Sequence, residues 1–581
     1  MFKLLKYMKK YWYIAIFAPI FMILEVAMDL VLSIYMQKMV DFGIQTGNFE
    51  NVVKYGLIMI GILILGVAGG MLSNVFTNIS CYKFGNDLRK ATYEKIMNLS
   101  LSQTDDFKTG SLVTRVTNDI TQVQQMVSMC LRGLIRAFSF FVLGIIFTLS
   151  ISQEFGMILV ILLPLEVGIL LLFMKIIFPV FTIIQKKLDK VNQVVLENVT
   201  GARVVKAFSK EDYEYDRFKE ANDDLTATTL RISKLSAFLN PLIQLIVFFG
   251  QVVIYYIGGN SILNAYKNNS GEFLMVGQIS QAITYISMIC NSVIMIGMLF
   301  TFMARAYASS KRINEILDTK NEIIDGDLDV STLKEKGHIV FDNVCFRYPD
   351  DSSYVLSNLS FEINKGETIA IVGATGCGKS SLVNLLVRFF DINEGNIYID
   401  GEDIRRYKKI DLRNKISMCL QKAELFAGTI KENIAFGKLD ATDEEVIEAS
   451  KIAQAEEFIL SKENGYDELV LEKGASLSGG QKQRLSIARA IVRKPEFLVF
   501  DDSTSALDLV TEAKLYDALN KKMKDVTKIV VAQRIATAKN ADRIMVLENG
   551  RIVDFDTHEH LMNNCQIYKD IYTSQLKKEE I

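Results

Sequence analysis

The sequence has few histidines, no closely spaced cysteine pair and no excess of positive or negative charge. Each of these shortages argues against a particular kind of site or partner. Its seven cysteines are scattered without a Cys-x-x-Cys pair, which argues against a zinc site and against a disulfide framework. The 65 lysines and arginines nearly balance the 67 aspartates and glutamates, so nucleic acid is not expected as a partner. The three histidines all lie outside residues 373–534, so a site built from that stretch has no imidazole.

Long hydrophobic runs, in contrast, fill the first half of the chain. Half of the residues are hydrophobic and the mean hydropathy is +0.21, which is too apolar for an ordinary soluble protein. A membrane-spanning helix needs about 20 mostly apolar residues. Six runs meet that requirement, near residues 12–36, 56–78, 128–150, 156–180, 238–262 and 276–304. The sequence therefore predicts an α-helical polytopic membrane domain over residues 1–320.

The links between these runs differ in charge. Short links around Asp41–Glu50, Gln153–Glu154 and Asn260–Glu272 are poor in lysine and arginine, whereas long links over residues 83–115 and 186–234 are rich in both. The positive-inside rule places the long links, and with them both chain termini, in the cytoplasm. Their charged periodicity predicts helices that extend beyond the membrane.

Three carboxylates lie inside the predicted spans. Glu25 and Asp29 share one helix face at positions i and i+4, and Glu166 lies in the fourth span. Ionisable groups in a membrane are costly enough to suggest a function, here contact with a cationic cargo. The alternative is that they pair with Lys175 or with neighbouring polar side chains, or line water without touching cargo. The sequence leaves both interpretations open.

An α/β pattern follows a charged connector. Residues 305–336 contain no Pro/Gly-rich spacer, which predicts a helix that continues from the sixth span. Residues 339–346 and 359–363 alternate as strands, and residues 367–372 form an apolar strand with a helix predicted after it over residues 381–390. Between that strand and that helix lies Gly373-Ala-Thr-Gly-Cys-Gly378-Lys379-Ser380. This order of strand, glycine-rich loop and helix predicts a nucleotide-binding domain.

The glycine-rich loop has the chemistry of a phosphate-binding loop. Its backbone N–H groups can wrap phosphates, Lys379 can neutralise the outer phosphates, and the Ser380 hydroxyl can ligate Mg²⁺. We expect the Cys377 thiol to react with maleimides when ATP is absent, although a harmless small residue is the simpler interpretation. The predicted nucleotide contacts of the loop are Gly373, Thr375, Gly376, Cys377, Gly378, Lys379, Ser380 and Ser381.

Each long link of the first half contains a pair of short motifs. The first link has Phe107–Gly110 followed by Arg115–Asp119, and the second has Glu197–Gly201 followed by Val205–Phe208. These pairs resemble the first and second intracellular loops of ABC exporters. In that family the turns of these loops are short coupling helices that sit on the ATPase domains. The resemblance implies coupling loops near residues 83–125 and 181–235, with coupling helices near residues 105–112 and 209–216.

Motifs in the second half follow the order of an ABC ATPase domain, which the resemblance places at residues 338–581 after a connector at residues 321–337. Tyr348 resembles the aromatic residue that stacks on adenine, and Gln421 resembles the glutamine that helps to hold Mg²⁺. The resemblance implies ATP and Mg²⁺ as cofactors, with Ser380, Gln421 and Asp501 around the metal. It also implies that a signature motif contacts ATP bound to a partner chain, through Ser478, Gly479, Gly480 and Gln481.

Two positions depart from the family pattern. The residue after Asp501 is normally a glutamate that orients or deprotonates the attacking water, and here it is Asp502. The switch histidine that contacts the γ-phosphate is replaced by Gln533. A carboxylate shorter by one methylene reaches that water poorly, so hydrolysis should fall steeply. We therefore expect the site on this chain to bind ATP tightly and to turn it over slowly.

These departures predict one half of a heterodimeric, multidrug-type exporter in a bacterial cell membrane. The intact signature would then serve the hydrolytic site of a different half-transporter, and the cargo would be an amphipathic small molecule. Two alternatives remain open. One is a nucleotide-gated sensor or channel, and the other is a homodimeric lipid or peptide exporter that uses Asp502 as a slow base.

Overall fold

The computed structural model describes residues 1–268, 275–333, 336–349 and 351–579. The chain divides into two compact units, the first made of Met1–Met97 with Thr109–Thr319 and the second of Asn98–Lys108 with Lys320–Ile581. The second half of the predicted short link Asn260–Glu272, from residue 269 onward, lies outside the described residues.

The first unit is helical, and its long helices are the predicted membrane spans. In chain order the helices up to residue 318 are α1 (Trp12–Ala15), α2 (Phe17–Met39), α3 (Phe49–Met97), α4 (Leu101–Phe107, in the second unit), α5 (Thr109–Thr114), α6 (Ile120–Met129), α7 (Ile135–Ile151), α8 (Gln153–Thr200), α9 (Ala202–Ala207), α10 (Glu211–Ala237), α11 (Leu239–Asn268) and α12 (Val276–Asp318). Short π-helical turns join some of them into longer rods. Among the described residues, six such rods are long and apolar enough to cross a membrane: Phe17–Ile44, Phe49–Met97, Thr109–Ile151, Gln153–Thr200, Glu211–Leu263 and Val276–Asp318. Each contains most of one predicted span, which confirms the predicted membrane domain.

The long helices extend beyond a bilayer. The 49 residues of α3 would measure about 74 Å at 1.5 Å per residue, against a hydrocarbon core of about 30 Å. The predicted helical character of the long links is therefore confirmed.

Small residues let α3 approach α2 closely. Buried Gly66, Gly69, Ser73 and Thr77 recur along one face of α3, and a Cβ on Gly69 would lie 3.2 Å from the main-chain oxygen of Phe21. Such small residues are typical of helix pairs in membranes because apolar lipid gives large side chains no advantage at the interface.

The carboxylates inside the spans find a partner that the sequence analysis missed. Arg136 on α7 lies 3.3 Å from a carboxylate oxygen of Glu25 and 3.8 Å from one of Asp29. Lys175 is therefore not the partner of these two residues. Glu166 is fully buried, and neither of its carboxylate oxygens has a hydrogen-bond partner among the described residues.

The second unit is an α/β domain built on two sheets. Its strands are β1 (Ile339–Phe346), β2 (Leu356–Ile363), β3 (Thr368–Val372), β4 (Glu394–Ile399), β5 (Glu402–Asp403), β6 (Ile416–Cys419), β7 (Gly428–Thr429), β8 (Leu469–Val470), β9 (Phe497–Asp501), β10 (Thr527–Val531), β11 (Arg543–Glu548) and β12 (Arg551–Asp556). Its further helices are α13 (Lys379–Leu386), α14 (Lys409–Lys415), α15 (Ile430–Ala435), α16 (Asp443–Ile452), α17 (Glu456–Leu460), α18 (Gly479–Ile491), α19 (Leu509–Lys522), α20 (Ile535–Ala538), α21 (His558–Asn564) and α22 (Gln566–Glu579). The predicted fold class, a membrane domain followed by an α/β domain, is confirmed.

The larger sheet has the order β12-β11-β3-β10-β9-β6, and β2-β1-β4-β5 form an antiparallel sheet. From β6 to β11 all neighbours in the larger sheet are parallel. Two hydrophobic cores lie in this unit, and residues of β3, β9 and β10 alternate between them. The strands are therefore buried on both faces, as is usual for parallel sheets.

Two predicted boundaries need correction. The helix after the phosphate-binding loop ends at Leu386 instead of residue 390, because Arg388 adopts a positive φ of 50° that no α-helix accommodates. The predicted continuing helix stops at Asp318. Beyond it the main-chain N–H groups of Gly326 and Leu328 bond to the oxygens of Tyr407 and Arg406, which holds the connector extended.

Short helices lie near both predicted coupling helices. Helix α4 overlaps the beginning of the predicted range 105–112, and α9 ends two residues before the predicted range 209–216. Residues with positive φ, Lys108 and Ser209, follow each of them and mark the turns. Ser100 begins α4 with a capping box, donates to Glu322 at 2.8 Å, and thereby ties α4 to the connector within the second unit.

Candidate functional site

Four neighbouring parallel strands supply the candidate site. The glycine-rich loop follows β3, Gln421 follows β6, Asp502 follows β9 and Gln533 follows β10. Because the carboxyl ends of parallel strands meet at one edge of a sheet, residues far apart in sequence come together there. The residues gather around a cleft of about 740 Å³, a size typical of small-molecule sites.

Most predicted nucleotide contacts line this cleft. They are Gly373, Thr375, Gly376, Gly378, Lys379, Ser380, Ser381, Gln421, Asp501, Asp502 and Gln533. The sequence analysis missed several other lining residues, which come mainly from strand ends and from the C-terminal helix: Val355, Ala374, Val531, Leu547, Glu548, Ile567, Asp570, Ile571 and Gln575. Nothing in the local sequence around α22 indicated a place beside the cleft.

Glycine is required at two places in the loop. A Cβ on Gly373 would collide with the main-chain oxygen of Leu547. Gly378 has a φ of 104°, which L side chains rarely adopt, and stands directly before α13. These glycines let the backbone turn from β3 into α13, so that N–H groups at the start of the helix face the cleft.

Cys377 differs from its prediction, whereas Lys379 lies where its predicted role requires. Cys377 is only 6% exposed and does not line the cleft, so its predicted ready alkylation is not supported. The Lys379 ammonium donates to the main-chain oxygens of Gly373 and Ala374 at 2.8 and 2.9 Å. It is thereby held at the mouth of the loop, within reach of an incoming phosphate.

The residues predicted to hold Mg²⁺ lie together. The Ser380 hydroxyl donates to Asp501 at 2.9 Å, and Gln421 lines the same cleft. Burial raises the pKa of Asp501, with the nearby Asp502 adding to the effect. No group of three or more His, Cys, Asp or Glu side chains in the described part of the chain could hold a metal ion. The donors present are oxygens and include one or two carboxylates, which fits Mg²⁺ bound jointly with substrate phosphates.

One oxygen of Asp502 accepts two amide hydrogen bonds. Gln421 donates to Oδ2 at 3.1 Å, and Gln533 donates to the same oxygen. Burial raises the pKa of Asp502, while the hydrogen bond from Gln421 lowers it in part. The two residues that depart from the family pattern are thus bonded directly to each other.

The loop that carries Gln533 is anchored by a buried carboxylate that the sequence analysis missed. Glu512 on α19 accepts from Arg534 at 3.0 Å and from Thr504 and Thr537 at 2.7 Å each. Arg534 also donates to the main-chain oxygen of Leu507 at 3.1 Å. The segment after β9 and the segment after β10 are therefore fixed to each other.

The signature residues lie outside the cleft. Ser478 caps α18 in a capping box with Gln481, and Gly479 begins the helix with open space where a Cβ would be. Ser478, Gly479, Gly480 and Gln481 are not among the residues that line the cleft. In this chain the signature is therefore separate from the phosphate-binding loop.

Tyr348 lies next to the cleft without lining it. Its hydroxyl is 2.9 Å from that of Ser381, and its ring makes edge contacts with Phe346 and Phe390. Stacking of this ring on adenine stays a prediction.

Comparison with known proteins agrees with both units. Residues 15–293 match the family model described as ABC transporter transmembrane region, and residues 356–505 match the one described as ABC transporter. The Bacillus subtilis ABC transporter ATP-binding protein YfiB is 38% identical over 99% of both chains. The putative multidrug export ATP-binding/permease protein YgaD of the same organism is 34% identical over 84% of this chain and 83% of its own.

Two further relatives extend the comparison. The ATP-dependent lipid A-core flippase of Desulfotalea psychrophila is 36% identical over 84% of each chain. The solved structure of a bacterial Atm1-family ABC exporter with ATP bound superposes with a TM-score of 0.79, at 26% identity, and covers 97% of this chain and 98% of its own. The chain therefore belongs to the ABC transporter family, as an exporter-type half-transporter in which a transmembrane region is fused to an ABC ATPase domain.

Proposed function

We propose that this chain is the slow-site half of a heterodimeric, ATP-driven exporter. Its own phosphate-binding loop, Asp501, Asp502 and Gln533 form a site that binds MgATP and hydrolyses it slowly. Ser478–Gln481 complete the faster site of a partner half-transporter. The observation that carries the proposal is the pair of amide hydrogen bonds on Asp502 Oδ2.

Binding of the nucleotide follows from the loop and its neighbours. The N–H groups at the start of α13 and the Lys379 ammonium compensate phosphate charge. Ser380, Asp501 and Gln421 would hold Mg²⁺, which when bound neutralises charge on the outer phosphates. None of these groups is altered by the two departures, so tight binding is retained.

Hydrolysis needs a group that orients the attacking water, and on this chain that group would be Asp502, which is poorly suited to the task. Asp502 has a shorter reach than a glutamate, and its Oδ2 already accepts two amide N–H groups. Gln533 can donate a hydrogen bond to a phosphate, but an amide does not take up a proton near neutral pH. Slow turnover follows from both limits.

The remaining assignments complete this proposal. Residues 1–320 would form the transmembrane domain, residues 321–337 the connector and residues 338–581 the nucleotide-binding domain, with both termini in the cytoplasm. The cargo would be an amphipathic small molecule, since one relative is named as a putative multidrug exporter. Binding of ATP would close the nucleotide domains of the two chains, and hydrolysis at the partner's site would reset them.

The identity of the retained nucleotide tests the slow site. The full-length chain, purified alone in detergent, is incubated with MgATP and separated from free nucleotide, and its bound nucleotide is identified. We expect ATP to persist over minutes, and Lys379→Ala to retain little nucleotide. Conversion to ADP within about a second, as for an enzyme with an ordinary kcat of about 1–10 per second, would contradict the proposal.

A homodimeric lipid exporter is the second candidate, favoured by the similarity to lipid A-core flippases. In that case two copies of this chain would supply both sites, and the slow base would set the rate of transport. Vesicles that contain this chain alone and move a fluorescent lipid only in the presence of ATP would favour it.

A further inference from the structure

The last described helix is fastened to the loop that carries Gln533. Gln575 on α22 donates through Nε2 to the main-chain oxygen of Gln533 at 2.8 Å and accepts through Oε1 the main-chain N–H of Ile535 at 2.8 Å. The two bonds lie on either side of Arg534. We propose that Gln575 is a positioning residue that holds Gln533 against Asp502 and toward the terminal phosphate of bound ATP. This inference rests on the proposed function, because only that function places the terminal phosphate of ATP beside Gln533.

An amide at position 575 is not explained by packing alone. Tyr568, Ile571 and Tyr572 form the face of α22 that packs on the core of the second unit. Gln575 is the next position on that face, three residues after Tyr572 and four after Ile571. An apolar residue would continue the stripe. The amide instead satisfies an acceptor and a donor of the main chain just beyond β10, where the sheet no longer pairs them.

The loop that carries Gln533 has a second anchor, on α19. Arg534 is held by Glu512 and by the main-chain oxygen of Leu507. With Arg534 fixed through its side chain, Gln575 fixes the main chain immediately before and after it. From this anchored main chain the Gln533 side chain donates a hydrogen bond to Asp502.

The helix that carries Gln575 is itself part of the cleft wall. Ile567, Asp570, Ile571 and Gln575 line the cleft together with the phosphate-binding loop. Gln575 is also hydrogen-bonded to the main chain of Gln533, and we expect a change at Gln575 to act on the nucleotide through that residue. Its effect should be specific to nucleotides that carry a γ-phosphate, because ADP does not extend to the switch residue.

The first test compares two nucleotides on the full-length chain, purified alone. Affinities for MgATP and MgADP are measured by displacement of mant-ADP. Gln575→Ala should weaken the affinity for MgATP by about three- to tenfold, which is the effect of losing one or two hydrogen bonds. The affinity for MgADP should not change. Gln575→Glu keeps the acceptor for Ile535 but places a carboxylate oxygen, which cannot donate, against the main-chain oxygen of Gln533, so it should also weaken MgATP binding. Thr573→Ala is the matched control, because its hydroxyl bonds to Lys569 of the same helix at 2.7 Å.

The second test asks whether Gln575 acts through Gln533. Gln533→Ala should lower the ratio of ATP to ADP affinity, and Gln575→Ala added to it should lower the ratio no further. If Gln533→Ala lowers the ratio and Gln575→Ala does not, the inference is wrong and the role of Gln533 stands. Equal losses of ATP and ADP affinity in Gln575→Ala would also overturn it, since they indicate general loosening of the cleft. An unchanged ratio in Gln533→Ala would overturn both statements.

Discussion

Asp502 stands in a backbone conformation that suits a short acid. Its φ is 50°, in the left-handed region that aspartate and asparagine tolerate better than most other residues. Its side chain turns back to meet Gln421 and Gln533 within the same cleft. The replacement of glutamate by aspartate therefore belongs to a consistent local structure, in which the shorter side chain, the backbone and the glutamine at position 533 fit one another.

A stability test addresses the neighbouring carboxylate. Burial raises the pKa of Asp501, so the folded chain disfavours its charged form relative to the unfolded chain. Asp501→Asn should therefore raise Tm near neutral pH, by roughly 2 °C, in the absence of Mg²⁺ and nucleotide. The gain should shrink as the pH falls through the raised pKa, because protonation then relieves the same cost in the unmodified chain.

Thermal unfolding of the purified chain gives the measurement. Asp508→Asn is the control, because the main-chain N–H of Thr511 lowers the pKa of Asp508 and its charge is favourable in the fold. That variant should not raise Tm. A lower Tm for Asp501→Asn, with no dependence on pH, would contradict the view that the buried charge of Asp501 destabilises the fold.

Local sequence revealed the residues that act within one short segment. The phosphate-binding loop could be predicted because a strand, glycines at fixed spacing and a helix follow one another along the chain. Glu512 and Gln575 could not be predicted, because each meets its partners through the tertiary fold and its neighbours in sequence are ordinary helix residues. Arg136 lies inside the predicted span 128–150, where a charged side chain is itself a signal, but the sequence does not say which carboxylates it meets.

At the scale of the elements, the sequence predicted which segments form the long helices but not where these helices end. The hydropathy of a span marks about 20 residues, but the rods continue as polar helices whose ends depend on caps and turns. Ser100 and Lys108 bound α4 in this way. The connector after Asp318 failed as a helix because its backbone pairs with Arg406 and Tyr407, which are far away in the sequence.

The pairing of α2 with α7 gives a prediction for these helices. Arg136 lies near both Glu25 and Asp29, and one oxygen of Glu25 is already buried without a hydrogen bond. Arg136→Gln should destabilise the chain by about 1–3 kcal/mol, less than the full cost of breaking a fully buried pair, because it leaves two carboxylates uncompensated.

Adding Glu25→Gln to Arg136→Gln should recover part of that loss, since one of the unpaired charges disappears. Thermal unfolding in detergent measures all three variants, with the exposed Lys54→Gln as control. If the double variant is as unstable as the sum of the two single variants, the ion pair is not what joins these helices.

At the scale of the whole molecule, different features identify the two units. The transmembrane region is recognised by long apolar helices and the ATPase domain by a parallel sheet with its site at one edge. Family membership brings the expectation of two nucleotide sites in an assembled exporter. On the proposed assignment, this chain would supply the phosphate-binding residues of one site and the signature of the other, and Asp502 and Gln533 would slow only the first.

The central claim is that Asp502 and Gln533 make the site on this chain slow. The most direct measurement is the ATPase rate of the full-length chain, purified alone, before and after the double substitution Asp502→Glu with Gln533→His. We predict a rise of about tenfold or more, which is part of the roughly 10²- to 10⁴-fold that general acid–base catalysis contributes, and its loss when Lys379→Ala is added. An unmodified chain that already hydrolyses ATP as fast as the double variant would contradict the account.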